Sequence, residues 1–244
     1  MNELDNVVKT WEKDEASAFQ NNPESKLFYE IKATFDPKVI GKKYPPIRYI
    51  DLSVAHAINF HNMPKDDLVF NEIELYKSSK ITDIIYTMAI SADGLLLSEK
   101  ALNIFKNFNL GTYKVFKANV NHKDKSHNYG YLQIMNDLKE EVDYKRTTFY
   151  VTDMMDTPIA DIDIHSLKEY EETGKKINAG KIQPFEQYSY LRSKAVIFKD
   201  NANLTDFFTL DSCGISLFIS KELKDALINN GVTGAEIDAT KKII

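Results

Sequence analysis

The chain has 244 residues and 28.0 kDa, with 43% hydrophobic, 11% aromatic and 27% charged residues, proportions that exclude a disordered chain and allow a real core. The formal net charge is -5 and only Arg48, Arg146 and Arg192 are arginines, which argues against nucleic-acid binding, because phosphate contacts need a basic surface and guanine readout favours the Arg fork. No stretch approaches the about 18 uninterrupted apolar residues of a membrane span, and the single cysteine, Cys213, leaves neither an internal disulfide nor a cysteine-built zinc site.

The opening MNELDNVVKTWEKDEASAF has no cationic start followed by an apolar run, so a cytoplasmic protein is expected. Leu4, Val7, Val8, Trp11 and Phe19 lie mostly on one helical face, predicting a helix over Glu3–Phe19 that stops at Asn21–Pro23. KLFYEIKATF, Lys26–Phe35, has the β-branched and aromatic content of a strand, and an extended loop follows through Gly41, Pro45 and Pro46. Residues from Asp66 to Leu75 mostly alternate, while ITDIIYTMAI, Ile81–Ile90, fits either a buried strand or a short helix.

GLLLSEKALNIFKNFNLGTYKVF, 94–116, and ISLFISKELKDALINNGVTGAEI, 215–237, repeat one pattern: apolar segment, Ser, helical stretch, Gly, apolar alternation. Ser98 and Ser220 stand where a hydroxyl accepts from an unpaired first-turn N–H, and Glu99 and Glu222 follow where the helix dipole favours negative charge. Ala101, Ile104, Phe105 and Phe108 form one apolar stripe, and Leu223, Ala226 and Leu227 the other. Gly111 and Gly231 are expected to close the two helices in the left-handed conformation. The serines therefore read as caps, and neither carries the flanking glycines of a nucleophile elbow.

Between the repeats, YGYLQIMN from Tyr129 and TTFYVTDM from Thr147 are expected to pair as strands across DLKEEVDYKR. Ser166 with Glu169 forms a capping-box pattern, with Gly174 as the expected helix stop and TGKK at Thr173 as its terminus rather than a phosphate loop. Ala195–Phe198 reads as a short strand.

Chemistry has few carriers. In DIDIH, Asp161, Asp163 and His165 share a face if extended, and two carboxylates with an imidazole suit a divalent metal. A strand with Ile162 and Ile164 facing the core produces the same alternation. His56 and His61, like His122 and His127, are spaced so that neither pair shares a helical face, and read as loop-borne. Phosphate-loop, dinucleotide, kinase and hydrolase patterns are missing from the sequence, and a cofactor is not expected.

LTDFFTLDSCGISLFISKELKDALINNGVTGAEI, 204–237, resembles the bacterial immunity proteins encoded beside polymorphic toxins, a family first catalogued as a domain of unknown function. The resemblance rests on Phe207 and Phe208, on Ile219 and Ser220 before the charged helical run, and on Gly231, Thr233, Gly234 and Glu236. The LLSEK part of the first repeat is a more degenerate match, and Cys213 and Gly214 depart from the pattern. The resemblance implies a non-catalytic protein that binds a cognate toxin domain. If that toxin is basic, Glu140, Glu141 and Asp143, or Glu169, Glu171 and Glu172, are candidate contacts that mimic phosphate and steer association. The competing readings are a metal-dependent enzyme using Asp161, Asp163 and His165, and an interaction module with a non-toxin partner. The expected fold is α+β, mostly antiparallel, with several short helices in one compact domain over 1–244.

Overall fold

The computed structural model describes residues 27–59, 63–64, 67–185, 187–214 and 216–244. The expected helix of Glu3–Phe19, its stop at Asn21–Pro23, His61 and Ile215 lie outside these residues. The described chain is α+β and mostly antiparallel, as the half-buried alternations imply. Among the described residues no helix is long and apolar enough to cross a membrane.

A six-stranded sheet contains β2 (Ile47–Ile50), β3 (Val69–Leu75), β4 (Ile84–Ile85), β5 (Gly94–Ser98), β6 (Tyr113–His122) and β7 (Lys125–Ile134) in the order β2-β3-β6-β7-β5-β4. Only β3 and β6 pair in parallel. A four-stranded sheet joins the two ends of the described chain: β1 (Phe28–Ala33) lies between β12 (Leu217–Ser220) and β13 (Ala235–Ala239), with β11 (Phe207–Thr209) outside β12. Between these in sequence, β8 (Thr148–Thr152) is the centre of a three-stranded sheet with β9 (Pro158–Ile162) and β10 (Tyr190–Ala195). The helices are α1 (Pro37–Ile40), α2 (Leu52–Ala57), α3 (Glu99–Phe105), α4 (Leu167–Asn178) and α5 (Lys221–Asn229).

Side chains alternate between faces, so each large sheet feeds two cores. Leu95, Leu97, Tyr29, Ile31, Phe207 and Ile219 meet α3 and α5 between the four- and six-stranded sheets. Leu96, Ile85 and Phe116 point the other way toward Ala55 and Ile58, and Phe28, Phe208 and Phe218 pack toward the three-stranded sheet and α4. Lys224 is also buried on α5; its ammonium lies 3.9 Å from the centre of the Tyr29 ring, a cation–π contact that compensates part of its desolvation.

The repeat is larger than the two expected units. ITDII, 81–85, and LTDFF, 204–208, precede the copies, and the strands match as β4-β5-β7-β6 and β11-β12-β1-β13. In both, a strand, capped helix and strand clasp an antiparallel third strand. Thr82 Oγ1 donates to the Ile84 carbonyl at 2.8 Å and Thr205 Oγ1 to that of Phe207 at 3.1 Å. The Ser98 and Ser220 amides donate to the Asp83 and Asp206 carbonyls at 2.7 and 3.0 Å. Tyr113 and Ala235 lie equally far along the chain from Ser98 and Ser220, so Gly111 corresponds to Thr233 and not to Gly231.

Several sequence expectations are corrected. The strands at Tyr129 and Thr147 do not pair, because β7 already has β5 and β6 as neighbours and β8 has β9 and β10. Gly174 does not stop α4, which continues until Ile177 is fully buried and turns at Gly180 with φ +64°. Gly111 does not close α3; the helix ends at Phe105, and Gly111 serves the turn into β6. The strand expected at Ala195–Phe198 lies earlier, as β10. His56 lies on α2, His122 on β6 and His127 on β7, so these three are not loop-borne.

Candidate functional site

Ser98, Thr233 and, through Lys100, Gly231 meet at Asp83. Its carboxylate accepts from Ser98 Oγ at 2.7 Å, from the Thr233 amide at 2.9 Å and from Thr233 Oγ1 at 3.0 Å, and pairs with Lys100 Nζ at 2.9 Å. Burial raises the Asp83 pKa, but hydrogen bonds from Thr233, Ser98 and Lys100 outweigh it and hold the carboxyl below its ordinary value. Lys100 Nζ also reaches the Gly231 carbonyl at 2.9 Å. Ser98 and Ser220 cap their helices, accepting from the Ala101 and Leu223 amides, each at 3.2 Å. Gly231, with φ +57°, forms a Schellman closure: its amide bonds Ile228 and that of Val232 bonds Leu227. A Cβ on Gly234 would stand 2.2 Å from the Ile84 carbonyl oxygen. Gly231, Thr233 and Gly234 thus bond to or pack closely against the first half, while Ser220 caps its own helix.

The second half returns the contact at Asp206. Its carboxylate accepts from the Asn109 amide at 2.9 Å, and its own amide donates to the Asn109 carbonyl at 2.7 Å. The two helix-to-strand connections are thus each held by the Thr-Asp segment of the other half.

Asp161, Asp163 and His165 share the exposed side of an alternating segment, with Ile162 partly buried and Ile164 buried. Only Asp161 lies within β9. Asp161 pairs with Lys194 at 2.5 Å, and the His165 amide donates to Glu169 Oε2 at 2.8 Å. The Ser166 hydroxyl meanwhile accepts from the Glu169 amide at 3.2 Å, so Glu169 reaches one residue beyond the usual capping box. Among the described residues, no three His, Cys, Asp or Glu side chains are grouped to hold a metal.

The two acidic segments lie side by side. Glu140, Glu141 and Asp143 line a cleft of about 780 Å³ with His165, Ser166 and Leu167 at the start of α4. Much of their charge is already matched: Asp143 pairs with Arg146 at 2.7 Å, Glu171 with Lys139 at 2.8 Å and Glu172 with Lys168 at 3.9 Å. Glu141 accepts from the Asn203 amide at 3.1 Å. Cys213 is buried near Ser193 Oγ at 3.4 Å, and burial pushes its thiol pKa up, the opposite of nucleophile activation. A further carboxylate group gathers Asp93, Asp137 and Asp211: burial and then the charges of Asp137 and Asp211 push Asp93 up to about 6.

One surface was missed in the sequence. Phe35, Tyr44 and Tyr86 form a ring cluster with centroids 4.8 to 5.5 Å apart, yet Phe35 and Tyr44 remain 46% and 44% exposed. Burial, then the hydrogen bond with Tyr86, pushes the Tyr44 phenol up to about 12. The available signal was the pair of acid-free segments KVIGKKY, 38–44, and YKSSK, 76–80. No protein-family model and no curated protein matches the chain.

Proposed function

We propose that this protein is a cytoplasmic immunity protein that binds one cognate toxin domain and neutralises it without catalysis. The observation that carries the reading is the immunity-like segment 204–237, whose motif residues Ser220, Gly231, Thr233 and Gly234 cap, close and join structural elements. A motif used as a joint leaves the outer loops and strand edges to vary with the partner. Inhibition then follows from covering the toxin's active site or substrate path, and it requires complementarity at a surface.

Growth tests the reading directly. A culture expressing the toxin domain encoded immediately upstream should be rescued by this protein and not by an unrelated immunity protein. Absence of rescue with both proteins soluble overturns the proposal for that pair.

A further inference from the structure

We infer that the aromatic cluster of Phe35, Tyr44 and Tyr86, with the lysines beside it, is the toxin-docking surface and fits an acidic face of the toxin domain; this rests on the immunity reading. Segments 38–43 and 77–80 are held together by backbone bonds from Lys80 to Ile40 at 2.8 Å and from Lys42 to Ser78 at 3.3 Å. They place Lys38, Lys42, Lys43, Lys77 and Lys80 together, all exposed. Lys80 Nζ is anchored on the Lys38 carbonyl at 2.7 Å, and Lys43 Nζ lies 5.2 Å from the Tyr76 ring centre.

Among the described residues none of these five ammoniums is paired with a carboxylate, and the neighbouring acids have other partners. Asp36 accepts from the Lys38 amide at 2.8 Å, and Glu236 accepts from Thr34 Oγ1 at 2.7 Å and pairs with Lys32 at 3.2 Å. A concentrated basic rim on a chain of net charge -5 selects an acidic counterpart and accelerates its approach. The rings supply the apolar centre that such a rim surrounds in protein interfaces. The surface also runs into a groove of about 360 Å³ whose apolar lining includes Tyr86, Met88, Ile90 and Leu217, with Glu30 and Asp93 also on its walls, so the groove itself suits an apolar side chain of the partner and not an acidic one. The three rings pack against one another, two of the pairs edge to face and Tyr44–Tyr86 stacked at 28°. They therefore form one clustered, part-exposed surface, unlike the separate platforms on which nucleic-acid bases stack.

The test is association kinetics between the full chain and the purified upstream toxin domain at low and high salt. Lys42→Glu with Lys77→Glu should slow association at least about tenfold at low salt, with the difference shrinking as salt screens the charges. Tyr44→Ala should raise Kd about tenfold or more, mainly through faster dissociation. Glu140→Lys with Glu141→Lys, at the acidic cleft, should leave the rate near that of the parent. Circular dichroism and melting confirm that each variant is folded, and the lysine pair stands on exposed side chains outside the cores. If the parent binds and the lysine and tyrosine variants bind equally well, the docking surface is wrong and the immunity reading survives. Slowing only by the cleft variant has the same meaning. If the parent protein itself does not bind, the immunity reading falls and this inference falls with it. Lysine-dependent binding of a single-stranded oligonucleotide, with toxin association unchanged, assigns the patch to nucleic acid and overturns the inference.

Discussion

Asp83 is bonded to residues of both halves, so its loss should be felt at two places. Removing its carboxylate takes one partner each from Ser98 Oγ, the Thr233 amide and hydroxyl, and the Lys100 ammonium, which keeps the Gly231 carbonyl. Charge-assisted hydrogen bonds contribute about 1.5–3 kcal/mol each before repair by water, and water reaches part of this joint, where the Lys100 side chain is 47% exposed. Asp83→Ala should therefore cost about 2–4 kcal/mol in urea unfolding, and Asp83→Asn less. A loss below about 1 kcal/mol would show that the joint contributes little. At this scale the sequence was readable where the rule is local: Ser98, Ser166 and Ser220 each accept from an amide three residues ahead. Asp83 itself was not readable, because its importance comes from Thr233, 150 residues away in the chain.

At the scale of elements, local signals competed with packing and sometimes lost. Gly174 looked like a helix end, yet α4 runs on to Asn178 because Tyr170 and Ile177 anchor it in the core. A Cβ at Gly174 would make ordinary contacts with Leu191 at 3.9 and 4.0 Å. Gly174→Ala should therefore stabilise the protein by about 0.5–1 kcal/mol, the helix-propensity difference, read as a raised urea midpoint. A destabilised variant would mean that α4 and β10 require a closer approach. Strand existence was legible at β1, β3, β7 and β8, whereas pairing was not. Alternation says which face is buried, and it does not name the neighbour. The acidic candidates show a related limit: sequence places Glu171 and Asp143 in charged runs, while Lys139 and Arg146 match them in space.

At the scale of the whole molecule, the carboxylates of Asp93, Asp137 and Asp211 lie near the junctions of β5, β7 and β11. Burial comes first in raising Asp93 to about 6, followed by the charges of Asp137 and Asp211. A raised carboxyl binds its proton in the folded state before the unfolded chain does, so this group favours folding as pH falls from about 6 to about 4. The gain is at most roughly 3 kcal/mol, at about 1.4 kcal/mol per pKa unit. Below about pH 4, Asp83, Asp143 and Glu236, whose pKa values are lowered, lose their stabilising charge and reverse the trend. Asp93→Asn should flatten the rise between pH 6 and 4 in urea titrations; an unchanged slope would remove Asp93 as its source. Fold class was legible in the alternations, and the recurring strand–capped helix–strand arrangement in the two Ser-capped units. The sheet that unites β1 with β12 and β13 was not, since its partners stand almost the full chain apart.

That sheet also sets a timetable for synthesis. β1 leaves the ribosome long before either strand that flanks it, because every other strand except β13 is made before β12. At about 5–20 residues per second, β1 waits roughly 10–40 s with both edges unpaired. During that interval it is open to pairing with another nascent chain, so raising chaperone supply should increase the soluble yield of this protein.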